Sequence, residues 1–217
     1  MTASDPRLLE VREEAGSVWL ILDSGETFEL APQSVPASLP AKGESISSPL
    51  LAEIQSAAER KQVARRIFAL LDRRLWPSAR IRERLLEDGF SLESIDTVLD
   101  QMSRQDLYSD RHYARAWCRD CLAGKDVGRR YLVDKLRRKQ VAVSIAQEAV
   151  SEILGSDDEC ERAERAAAKR WRRITGPVDR KAEAKLVRFL MGRGFDASLA
   201  NRAVRRTRPP EDDSDLD

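Results

Sequence analysis

One pattern of three apolar residues, repeated three times at constant spacing, limits what this chain can become. It runs from Leu85 to Leu99 as L-L-E-D-G-F-S-L-E-S-I-D-T-V-L, and from Leu136 to Val150 as L-R-R-K-Q-V-A-V-S-I-A-Q-E-A-V. It returns from Leu190 to Val204 as L-M-G-R-G-F-D-A-S-L-A-N-R-A-V. In each copy an apolar residue ends one helix (Leu85, Leu136, Leu190) and a second sits at the bend (Phe90, Val141, Phe195). A third closes the next helix (Leu99, Val150, Val204). Successive bends lie 51 and 54 residues apart, a period in the range of helical repeats. One such unit cannot bury its own apolar face, so the copies are expected to stack into an elongated, curved array.

The residues of the bend support this reading. Gly89 and Gly194 precede the aromatic, where a helix end needs a left-handed residue that glycine adopts at little cost. Ser91 and Asp196 follow it, each suited to accept hydrogen bonds from the free N–H groups of the next helix. The middle copy has Gln140 and Ala142 instead, so its bend is expected to be the weakest or to be shaped differently.

In chain order, residues 1 to 6 read as disordered. Alternating runs follow at Leu8–Arg12, Val18–Leu22 and Thr27–Leu30, separated by Ala15-Gly16 and Asp23-Ser24-Gly25; they predict a small meander of two or three strands. Pro32, Pro36, Pro40 and Pro49 give the next stretch a linker composition. The apolar spacing then predicts a helix from near Leu50 that ends before Trp76-Pro77, and others over 78–88 and 92–103. A turn with Asp106 and Asp110 as cap candidates follows. Further helices are expected from Tyr113, up to Lys139, over 143–154 and over 163–174; a Gly176-Pro177 turn precedes the last two, which end near Gly192 and Arg206. The fold class is therefore mainly α, three tandem three-helix repeats with a small N-terminal β meander. The boundaries are a β element and linker (1–48), repeats over 49–105, 106–155 and 156–207, and an acidic disordered tail (208–217).

Of the 217 residues 35% are charged and 6% aromatic, which suits thin helical layers with much exposed surface. No apolar run approaches the roughly 20 residues of a membrane span, so the protein is expected to be cytoplasmic. Three cysteines, an odd number, provide no disulfide framework. The net charge of +1 hides a division: residues 1 to 58 hold 3 basic and 9 acidic side chains, and residues 59 to 206 hold 34 and 23. A basic body lies between two acidic ends, and the role of residues 1 to 58 is left open between tuning affinity, replacing a contact and masking the basic body.

The run R-x-x-x-x-L-L-x-R-R at Arg66 to Arg74, then L-L-E-D-G-F, L-Y-S-D-R-H-Y-A-R-A-W at Leu107 to Trp117, and G-R-R-Y-L-V-D-K-L-R-R-K at Gly128 to Lys139 together resemble the RecX family, bacterial regulators of the RecA recombinase. The resemblance covers roughly residues 60 to 206. Gln140, where the family usually has glycine, and the first 58 residues depart from it. It implies a modulator that binds the RecA filament on single-stranded DNA and inhibits its ATPase, strand exchange and co-protease activities.

The residues themselves suggest how. Arg65-Arg66, Arg73-Arg74, Arg129-Arg130, Arg137-Arg138-Lys139, Lys169-Arg170 and Arg172-Arg173 are basic faces suited to acidic RecA surface or to phosphates, and whether they meet RecA or DNA is left open. The bland alternative for any one pair is a solvated helix face with local ion pairs. Cys118-x-x-Cys121, without a second pair, reads as two small helical side chains. Trp76, Trp117 and Trp171 read as core before they read as base-stacking platforms. With no phosphate-binding glycine loop, no nucleophile beside a base and one histidine, neither an enzyme nor a cofactor or metal is expected. The expected partner is the RecA filament, bound by a monomer that also binds DNA weakly. A helical-repeat nucleic-acid-binding protein acting without RecA, or a scaffold recruiting through its β element, fits the same residues.

Overall fold

The computed structural model describes residues 5–174 and 178–210. Three strands, β1 (Leu8–Glu14), β2 (Ser17–Leu22) and β3 (Thr27–Leu30), form an antiparallel sheet in the order β1-β2-β3. Nine α-helices follow among the described residues: α1 (Ser48–Leu71), α2 (Ser78–Glu87), α3 (Leu92–Arg104), α4 (Asp110–Gly124), α5 (Arg129–Arg138), α6 (Val143–Ile153), α7 (Ser156–Trp171), α8 (Arg180–Gly192) and α9 (Ala197–Arg206). They divide into two compact units, Met1–Tyr108 and Ser109–Asp217.

In the first unit the inner face of the sheet, Leu8, Val18, Leu20, Leu22 and Leu30, shares one core with Ile54, Ala57 and Ala58 of α1. This packing removes the instability of an isolated small sheet in water. The proline-rich stretch is not a free linker. Ile46 is fully buried in that core, its N–H donates to the Pro6 carbonyl at 2.8 Å, and Leu8 N–H donates to Glu44 O at 3.0 Å. Residue 6, expected to be disordered, is thereby tied down.

All nine repeat positions except Phe90, which is half-buried, are buried. The three bends have one shape. Gly89, Gln140 and Gly194 take φ of +93°, +64° and +85°, and the N–H beyond each reaches back to Leu85 O (3.1 Å), Leu136 O (3.1 Å) and Leu190 O (3.2 Å). The middle bend is therefore not shaped differently; its glutamine holds the left-handed conformation at a cost of about 1 kcal/mol. Ser91 and Asp196 cap α3 and α9 as expected, whereas Ala142 provides no side-chain cap. At the start of α4 the cap is Ser109, which accepts from His112 N–H at 3.4 Å. Asp106 instead takes φ +54° in the turn, and Asp110 is the first helical residue.

α7 begins at Ser156, seven residues ahead of the expected Ala163. Asp157, Asp158 and Glu159 occupy its first turn, where negative charge complements the helix dipole. The expected Gly176-Pro177 turn and the acidic residues from Glu211 lie outside the described residues. Arg208, assigned to the disordered tail, is held by Val178 O at 3.1 Å and Glu183 at 2.9 Å.

Two carboxylates cap helices from a distance. Glu59 of α1 accepts from Ser91 N–H (2.8 Å), Ser91 Oγ (2.5 Å) and Ser94 Oγ (2.5 Å) at the start of α3. Glu159 of α7 accepts from Arg129 N–H at 2.7 Å, at the start of α5. A second seam in that unit depends on two glycines. Gly128 N–H donates to Arg193 O at 3.0 Å and Arg130 N–H to Gly194 O at 3.2 Å. A Cβ on Gly194 would strike the backbone of Tyr131.

Replacing Gly194 by Ala therefore adds a backbone collision to the φ penalty of about 1–2 kcal/mol; thermal melts should show a larger loss than for Gly89→Ala, which meets nothing within 4 Å. Gln140→Gly should raise stability by about 0.5–1 kcal/mol. For Glu59, burial raises the pKa, but the bonds from Ser91 and Ser94 outweigh it and leave the carboxyl below its usual value. Folding thus favours the ionised form. Its stabilisation is present above the unfolded-state pKa of about 4.3 and is lost as pH falls through the lower folded value. Urea titrations below about pH 4.3 should show a shallower loss of stability in Glu59→Gln than in the parent chain.

Candidate functional site

Basic pairs dominate the sequence of the helices, but the tertiary structure spends half of them internally. Arg65 grips Glu29 of β3 at 2.8 Å, and Lys61 reaches the same carboxylate at 3.1 Å. Burial raises the Glu29 pKa, yet bonds from Ser17 and Lys61 hold it below the ordinary carboxylate value. This acidic residue of the sheet thus pairs with two cations of α1. Arg66 bonds Asp88, the residue that closes α2, at 2.8 Å. Arg129 donates to Ser151 Oγ (3.0 Å) and Leu154 O (2.9 Å) besides pairing with Glu159. Arg130 meets Asp196, the cap of α9, at 3.2 Å. Arg138 pairs with Asp134 one turn back at 3.0 Å.

A different group is left over. Arg73, Arg137, Lys139, Arg172 and Arg173 are exposed and have no ion pair among the described residues. Arg74 lies 3.8 Å from the centre of the Trp76 ring, and the Lys139 ammonium 5.9 Å from that of Trp117. These two tryptophans are half-buried, not the core pieces expected; Trp171 alone of the three is buried. Burial pushes the Cys118 thiol up to about 11, so it carries no reactive thiolate near neutral pH. Among the described residues no His, Cys, Asp and Glu side chains group as a metal site, and no helix is long and apolar enough to cross a membrane.

The cations concentrate further within the second unit, where α4 hands over to α5 beside α7 and α8. A groove of about 500 Å³ is lined there by Lys125, Asp126, Tyr131, Lys169, Arg170, Arg173, Phe189 and Arg193. Its one carboxylate is occupied: Asp126 takes Lys169 Nζ at 2.8 Å and Arg165 Nε at 3.2 Å. Burial raises the Asp126 pKa, but these two partners outweigh it and keep the group ionised below its usual range. Arg170 and Arg193 lie over the Phe189 ring, 5.3 and 4.7 Å from its centre. Sequence reasoning named Lys169, Arg170 and Arg173 but missed Lys125, Tyr131, Phe189 and Arg193. These stand alone in the sequence, and a search for basic pairs passes over them.

The fold defines a class, a tandem three-helix repeat protein with a surface rich in exposed cations. Two family models match: the second three-helix domain of RecX over residues 109–150 and the third over 157–204. The chain is 32% identical over 152 residues to the regulatory protein RecX of Corynebacterium efficiens, spanning 67% of this chain and 72% of that protein. Its counterpart in Chromobacterium violaceum is 29% identical over 150 residues, 68% and 92% of the two chains. The crystal structure of a regulatory protein RecX superposes with a TM-score of 0.71 at 20% identity, over 93% of this chain and 99% of that one. That of RecX from Lactobacillus salivarius gives 0.60 at 17%, over 69% and 96%. The chain belongs to the RecX family of regulatory proteins.

The two groups of cations should separate in a stability assay. Arg129→Ala removes the side-chain bonds to Ser151 Oγ and Leu154 O and the ion pair with Glu159, while the backbone N–H that Glu159 caps remains, and should lower urea stability by about 1–3 kcal/mol. Arg137→Ala should stay within about 0.5 kcal/mol of the parent.

Proposed function

We propose that this chain regulates the RecA recombinase: it binds the RecA filament on single-stranded DNA and inhibits ATPase, strand exchange and co-protease activity. Membership of the RecX family carries this reading. The surface supports it, because Arg73, Arg137, Lys139, Arg172 and Arg173 are exposed and pair with no carboxylate among the described residues. Arg65, Arg66, Arg129, Arg130, Arg138 and Lys169 stay in the contact set with part of their donors used in ion pairs, together with Arg74 and Arg170. Each contact of an exposed cation with acidic RecA surface or with phosphate is weak and screened by salt. Several made together sum through avidity, since each later contact forms at high effective concentration. A regulator that engages adjacent filament subunits in this way opposes their changes of shape during ATP turnover.

The test is the single-stranded-DNA-dependent ATPase of a bacterial RecA, titrated with this protein far below one molecule per RecA subunit. Inhibition at such ratios is expected, and Arg137→Glu with Lys139→Glu should raise the half-inhibitory concentration roughly tenfold or more while leaving the melting curve unchanged. Inhibition that appears only when the protein saturates the DNA would replace this reading with simple competition for the strand.

A further inference from the structure

The groove beside α5, α7 and α8 holds more charge than its own carboxylate balances. Asp126 is committed to Lys169 and Arg165. That leaves Lys125, Arg170, Arg173 and Arg193 around a space of about 500 Å³, none of them in an ion pair among the described residues. Arg193 gives one hydrogen bond, to Asp126 O at 3.1 Å. The guanidinium groups of Arg170 and Arg193 lie over the Phe189 ring, 5.3 and 4.7 Å from its centre. Stacking of this kind occupies the face of the guanidinium and keeps its N–H edge for other partners. Tyr131 is a second ring in the lining, with Lys135 Nζ 5.4 Å from its centre.

We propose that this groove is a small-molecule site for a free nucleoside polyphosphate, a nucleoside di- or triphosphate. Lys125, Arg173 and the N–H edges of Arg170 and Arg193 take the phosphates, and the base lies against Tyr131. The concentration of charge favours such a ligand. A nucleic-acid strand spreads one phosphate per nucleotide along its length, whereas a nucleoside polyphosphate gathers its phosphates at one end of a single molecule, where clustered cations meet them all. Size agrees, since about 500 Å³ falls within the roughly 300–1,000 Å³ of clefts that enclose small ligands. An inorganic polyphosphate or an acidic peptide would use the cations and leave the Tyr131 ring idle, so the nucleotide accounts for more of the site. The site goes beyond regulation of RecA and fails separately from it, because its test contains neither RecA nor DNA filament.

The full chain is titrated into ribose-labelled fluorescent ATP, binding is read by anisotropy, and unlabelled ATP and inorganic tripolyphosphate serve as competitors. Saturable binding that unlabelled ATP displaces is expected, with tripolyphosphate about tenfold weaker or more because it has no base to stack. Lys125→Gln/Arg173→Gln removes two charge-assisted contacts and should weaken ATP binding roughly tenfold or more. Arg205→Gln, which removes an exposed cation on α9 outside the groove, should leave the affinity near the parent value. Tyr131→Leu should weaken ATP and leave tripolyphosphate unchanged, a split that a purely structural role of the tyrosine would not produce. Absence of saturable binding at millimolar ATP overturns the proposal. So does tripolyphosphate competing as well as ATP, which would reduce the groove to a sink for charge. A double variant that keeps its ATP affinity but loses affinity for a labelled oligothymidine also overturns it, and would assign the groove to a strand.

Discussion

The left-handed residue that ends α2, α5 and α8 is the constraint on which the repeats depend. A helix can be stopped in many ways, but a single residue at positive φ turns the chain so that the next side chain falls back onto the helix just completed. Phe90, Val141 and Phe195 all arrive in this way, each N–H closing on the carbonyl five residues back. The following helix then starts at a set angle, and its last apolar residue meets the same core. The middle copy keeps this geometry with Gln140 at positive φ, and its Leu136, Val141 and Val150 are all buried.

Charge does a second job that composition conceals. In a chain with so little aromatic core, carboxylates placed in one helix secure the ends of others: Glu59 at the start of α3, Glu159 at the start of α5, Asp196 both capping α9 and holding Arg130. Arginine suits the other side of these contacts because its planar fork donates in several directions at once, as Arg129 does to a carboxylate, a hydroxyl and a carbonyl. Arg73, Arg137, Lys139, Arg172 and Arg173 lie outside this framework, exposed and with no ion pair among the described residues.

Much of the fold was legible because it follows from local rules. Helix spans in the first two repeats came within a few residues, since apolar spacing, proline and capping residues act over a single turn. The start of α7 was missed because its first turn is acidic and polar, favoured by the helix dipole and invisible to apolar periodicity. The loop from Ala31 to Ser47 was misread as a linker: its prolines describe the backbone, while Ile46 is anchored by a core built from distant strands. The candidate site was half legible. Arg137, Lys139, Arg172 and Arg173 stood out as runs and stayed exposed, but nothing near Arg65 or Arg66 in the sequence announces Glu29 or Asp88.

The sequence alone determined the three-fold helical repeat, the bends and most caps, because those depend on residues within one or two turns of each other. Only the tertiary structure decided which cations are spent on the fold, why Gly194 must lack a side chain, and that Lys125, Tyr131, Phe189 and Arg193 share a groove. Each of these is a matter of distance between residues tens of positions apart, and a linear pattern contains no information about which carboxylate, ring or backbone will be brought within reach.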